Sequence, residues 1–141
     1  MILMEPALYS LARGAGHVEN HIARMSPVIV AAPHLGAAEY YLEWLRALGV
    51  PDPVRPATPE EMQMAERTRL LTPPWDIATP AAVIPTVPTL VITGGWNDEY
   101  EEIASALVRS GAARRQLTGF GHRVPDHPDA NSLIREWIKR H

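Results

Sequence analysis

The run Val87-Pro88-Thr89-Leu90-Val91-Ile92-Thr93 constrains this chain more than any other segment. It is short and rich in β-branched residues, opens with a proline and closes on Gly94-Gly95. Its apolar centre is continuous rather than alternating, so as a strand it needs cover on both faces. Strands of that kind belong to parallel sheets packed between helices, which predicts an α/β fold. The downstream residues agree. A helix is predicted from about Glu99 to Ser110, with acids in its first turn, Ile103, Ala104, Leu107 and Val108 inward, and Gly111 at its end. Ala113-Arg114-Arg115-Gln116-Leu117 reads as a short strand. Leu133, Ile134, Trp137 and Ile138 then define a last helix, capped by Asp129 or Asn131. From Val87 onward the order is β-α-β-α, the crossover unit of a parallel sheet.

Upstream, Met1-Ile2-Leu3-Met4 is another continuous apolar run, ended by Pro6, and predicts a strand over about residues 1–5. Between His17 and Ala32 the pattern is mixed. Val18, Ile22 and Met25 lie at helical spacing, but Pro27 is expected to break a helix there. Ala37 to Leu48 is a clear helix, with Tyr41, Trp44, Leu45 and Leu48 on the expected inner face and Gly49 after it. Thr58-Pro59-Glu60-Glu61 is a strong helix start: a capping hydroxyl, a proline in the first position and a capping-box glutamate. That helix is predicted to reach Leu71, before Pro73-Pro74. The fourteen prolines concentrate between Pro51 and Pro88, which implies short helices and irregular turns there. The character of the chain changes at Val83. The 141 residues therefore divide into a strand (1–5), a helical insertion (about 10–80) and a strand-helix-strand-helix unit (about 83–141), all within one domain.

The remaining composition excludes several classes of function. A net charge of −3 with interspersed signs offers no basic patch for nucleic acid. No apolar run reaches about 18 residues, so no membrane span is expected. Met1–Met4 is too short and lacks the basic flank of a signal peptide. The absence of cysteine rules out disulfides and thiolate metal sites, and fits a reducing cytoplasm. His17 and His21 are four apart on a candidate helix, and His122, Asp126 and His127 share a loop, but neither set has standard metal-ligand spacing. No metal and no cofactor are expected.

Loops at the C-terminal ends of parallel strands converge, and active sites form there. Here those loops carry Glu5-Pro6-Ala7, then Gly94-Gly95-Trp96-Asn97-Asp98, then Gly119-Phe120-Gly121-His122. The glycines of the last loop allow a sharp bend, and histidine titrates nearest neutral pH. Two acids and one histidine at equivalent strand ends are the orienting acid and base of a catalytic triad.

The stretch from Val87 through Gly94-Gly95 and Gly121-His122 to Trp137 resembles the C-terminal part of the α/β-hydrolase fold. The resemblance extends over essentially the whole chain. It implies that Met1–Glu5 is the family's sixth strand, that residues 10–80 are its lid, that His122 is the base and that Glu5 or Asp98 is the acid. Asn97 stands where many relatives place the acid, which counts against the second loop. Asp98 also fits the acidic first turn of a helix, where it favours the helix dipole. Tyr41, Trp44 and Trp75 could line an acyl pocket under the lid or belong to ordinary core.

One departure matters most. The family's nucleophile sits on a Gly-x-Ser-x-Gly elbow, and none of Ser10, Ser26, Ser105, Ser110 and Ser132 has that frame. The chain is thus expected to be a truncated α/β-hydrolase domain: about three parallel strands, a lid, and the remnant of a triad without its nucleophile. The implied function is that of a serine hydrolase of esters or related acyl compounds, inactive alone. The alternatives are one half of a split hydrolase and a non-enzymatic binding or regulatory domain. The implied partners are a small ester or acyl substrate and either an N-terminal half or a second copy, pairing along the edge of the first strand.

Overall fold

A computed structural model describes residues 1–79 and 86–141. The change of character at Val83 lies outside the described residues. The fold is mixed α/β. Three strands, β1 (Ile2–Met4), β2 (Leu90–Thr93) and β3 (Ala113–Gln116), form one sheet in the order β1-β2-β3. Both pairings are parallel, with Leu3 opposite Val91 and Val91 opposite Arg114.

The central strand explains the layers. All four residues of β2 are buried, and successive side chains point to opposite faces. Val91 packs with Val18 and Ile22 of α1 (Gly16–Ala31) and with Ile103 and Leu107 of α4 (Asp98–Arg109). Leu90 and Ile92 pack on the other side with Val124 and with Leu133, Ile134 and Trp137 of α5 (Ala130–Arg140). Each fully buried aliphatic side chain contributes about 1.5–3 kcal/mol. The strand begins at Leu90 rather than Val87. Pro88 has no N–H to give a neighbouring strand, and the Thr89 hydroxyl donates to the Val87 carbonyl at 2.7 Å.

The expectation that Pro27 breaks the first long helix is overturned, because α1 runs through it. Proline removes one helical hydrogen bond and crowds the preceding turn. Tertiary packing outweighs that here: Val18, Ile22 and Met25 are buried, and the Ser26 hydroxyl donates to the Ile22 carbonyl at 2.6 Å. No side chain from its own N-cap residue caps α1. Glu102 of α4 does so instead, accepting from the backbone N–H groups of His17 at 3.1 Å and Val18 at 2.9 Å.

Two further helices, α2 (Ala37–Ala47) and α3 (Pro59–Arg69), complete the helical insertion. The Thr58–Glu61 capping box of α3 forms as predicted. The inner face of α2 is displaced from the expected one. Ala38 and Tyr40 are its buried residues, Tyr41, Trp44 and Leu45 are half-buried, and Leu48 is exposed. The helix packs on α1 and α3 with one flank, while Trp44 and Leu48 face an open cleft. No helix among the described residues is long and apolar enough to cross a membrane.

Candidate functional site

Glu5 immediately follows β1, and its backbone is left-handed, with φ of 45°. That conformation is uncommon for any residue but glycine. Its amide still donates to the Ile92 carbonyl at 3.0 Å, so the bend comes at the end of the ladder. Its buried carboxylate is held by two donors, the Gly94 N–H at 2.5 Å and the Trp96 indole N–H at 3.1 Å. His122 Nδ1 lies 3.6 Å from Glu5 Oε2, within ion-pair range but beyond a hydrogen bond. The imidazole is 61% exposed and is flanked by Trp96 and Tyr100, at centroid distances of 6.0 and 5.5 Å. The Tyr100 phenol is pushed above its ordinary value, first by burial and then by the charges of Glu5 and Glu99.

The double glycine is required by this closeness. A Cβ on Gly94 would lie 2.3 Å from the Gly121 carbonyl oxygen, so only glycine lets the two loops touch. Glu101 braces the same loop from α4. It accepts from the Gly95 N–H at 3.0 Å and the Thr93 hydroxyl at 3.1 Å, and pairs with Arg114.

Of the two candidate acids, Glu5 is the one beside His122. Asp98 lies in the exposed first turn of α4, 3.8 Å from His17 Nε2. Asn97 is the helix cap, its side chain accepting from the Glu99 N–H at 2.9 Å. An asparagine just before an acid-rich first turn carries that signal in the sequence. His17 and His21 do not act together, since they face Asp98 and Glu99 respectively. Asp126 pairs with Arg123, and His127 Nδ1 accepts from the Asp129 N–H at 3.1 Å. No cluster of three or more His, Asp or Glu able to hold a metal occurs among the described residues.

His122, Trp96 and Tyr100 face a cleft of about 620 Å³. Trp44, Trp75 and Arg24 lie on the helical part of its wall, whereas Tyr41 does not line it. The wall also carries a polar network that no sequence motif marks. Glu99 Oε2 is 2.8 Å from His21 Nδ1 and accepts from the Tyr9 hydroxyl at 2.9 Å, while Oε1 accepts from Arg24 at 3.3 Å. Tyr9 stacks on His21 at 5.0 Å, and Trp75 meets the same imidazole edge-on at 5.8 Å. Burial alone would raise the Glu99 pKa. The hydrogen bonds from His21 and Tyr9 and the charges of His21 and Arg24 outweigh it, and hold the carboxyl below its ordinary value. Burial, and then Glu99 itself, push the Tyr9 phenol far up. Sequence reasoning misses this network because Tyr9 and Glu99 are 90 residues apart in the chain.

The serines are committed elsewhere. Ser10 donates to Thr79, and Ser26, Ser105, Ser110 and Ser132 each donate to a backbone carbonyl. The corner therefore offers an oriented acid and a nearby imidazole, but each serine is engaged by another partner. Compared with models of known families, with curated proteins and with solved structures, the chain matches none.

Proposed function

We propose that this chain is the acid-and-base part of an α/β-hydrolase-like protein acting on esters or related acyl compounds, inactive by itself. The observation that carries this reading is Glu5. It holds a left-handed backbone at a strand end, its carboxylate is gripped by Gly94 and Trp96, and His122 stands 3.6 Å away at the cleft. Backbone strain of this kind costs about 1–3 kcal/mol and is kept where the aim of a side chain matters. With Nδ1 turned to Glu5, Nε2 of His122 is free to take a proton from an attacking hydroxyl. Glu5 would then balance the imidazolium that results. Helices α1 to α3 would serve as the lid over the acyl pocket.

The nucleophile has to come from elsewhere, since no Gly-x-Ser-x-Gly occurs in the sequence. A split hydrolase is the second reading. It is favoured by β1, which has β2 as its one sheet neighbour among the described residues and so keeps an open edge. Hydrolysis of p-nitrophenyl esters by the chain alone is expected not to exceed the buffer rate. Adding a separately encoded strand-helix unit with the serine elbow should restore turnover, and His122→Ala should abolish it. Turnover by the lone chain that survives His122→Ala would sink both readings. Ligand binding without turnover in either mixture would instead mark a binding domain.

A further inference from the structure

The cleft has an unequal supply of donors and acceptors. Among the described residues Glu99 is its only acid, and the Glu99 carboxylate is already taken by Tyr9, His21 and Arg24. Arg24 is the only arginine or lysine among the described residues of the wall, and its side chain is 48% exposed. A guanidinium has five N–H donors, and among the described residues its hydrogen bond to Glu99 Oε1 at 3.3 Å uses a single one of them. The other contact of Arg24, 3.4 Å to His21 Nδ1, is not a second such bond. An ionised Glu99 only accepts, so Nδ1 carries the proton that points at it. Trp44 and Trp75 line the same wall. The rest of the wall is mostly aromatic and aliphatic.

We propose that the Arg24 end of the cleft recognises a carboxylate, carried by a ligand whose aromatic or apolar body lies along the tryptophan-lined wall. A donor surplus calls for an acceptor, and the planar fork of arginine matches the two oxygens of a carboxylate. Glu99 already sets one negative charge against Arg24, so a singly charged carboxylate fits better than a doubly charged phosphate. Glu99 and the ring packing of Tyr9 and Trp75 hold His21 and Arg24 in place before a ligand arrives. This deepens the acyl-compound reading by giving the substrate a charged group. It is tested by binding without turnover, so its failure and that of the hydrolase reading register separately.

The test is titration calorimetry at low salt with 2-naphthylacetate and its uncharged counterpart 2-(2-naphthyl)ethanol. The carboxylate should bind about tenfold more tightly, the size of one charge-assisted hydrogen bond. Arg24→Gln should erase that preference, and Arg24→Lys should keep part of it, with thermal melts confirming that both variants fold. Equal affinity for the two probes, a preference unchanged in Arg24→Gln, or no binding of either probe at millimolar concentration would each overturn the proposal.

Discussion

Two histidine–carboxylate pairs share one cleft, and they are built in opposite ways. His21 and Glu99 come from two helices, are 10% and 11% exposed, and meet at 2.8 Å between aromatic rings. His122 and Glu5 come from two strand ends and stand 3.6 Å apart, with Glu5 buried and His122 61% exposed. The first pair is complete and sits inside the helical packing. The second has a buried acid held by two donors and an imidazole that is largely open to solvent. A tight pair mainly holds structure together, whereas a held acid beside an exposed base leaves room for a third group.

The largest effect that can break this contrast is Glu99→Ala, which leaves Tyr9, His21 and Arg24 without their shared acceptor. Removing one member of a buried pair costs roughly 3 kcal/mol, readable by urea denaturation. A loss well under 1 kcal/mol would mean that the inner pair is not structural. The same pair has a pH signature. A carboxyl held below its ordinary value of 4.5 adds stability that is complete above that pH and fades as the pH falls through the lowered folded-state value. The stability gap between the wild type and Glu99→Gln should therefore close at pH values below 4.5.

Gly94→Ala comes next, because its Cβ would meet the Gly121 carbonyl at 2.3 Å. Forcing the loops apart should cost about 2 kcal/mol and shift the His122 imidazole resonances in NMR spectra. Glu5 gives a finer test. Both Glu5→Ala and Glu5→Gly lose the bonds to Gly94 and Trp96, but only glycine is at ease at φ of 45°. The glycine variant should be the more stable by about 1 kcal/mol, and equal melting curves would show that Glu5 carries no strain. The smallest effect is expected for His122→Ala, within about 0.5 kcal/mol of wild type, as for other exposed side chains. A larger loss would place His122 with His21 as a structural residue.

What could be read from the sequence depended on how local the cause was. The buried strand at Leu90–Thr93, the capping box at Thr58–Glu61 and the glycine-histidine turn each rest on neighbouring residues, and each was legible. The path of α1 through Pro27 was not, because packing by Val18, Ile22 and Met25 decided it. Asn97, just before an acidic first turn, is marked as a cap by its neighbours. Which of Glu5 and Asp98 lies beside His122 follows from the sheet register, which brings residues 5 and 94 together. The Tyr9–His21–Glu99–Arg24 network joins segments that only the folded chain brings together.

The capping of α1 by Glu102 has a consequence for how the molecule opens. The acceptor for the Val18 amide lies 84 residues away, so α1 cannot finish its first turn on its own. The amides of His17 and Val18 should exchange with deuterium together, at the rate at which α4 lifts from the sheet rather than at the fraying rate of a free helix end. In folding, the start of α1 should lock only once α4 has docked, which joins the helical insertion and the strand-helix unit into one cooperative event.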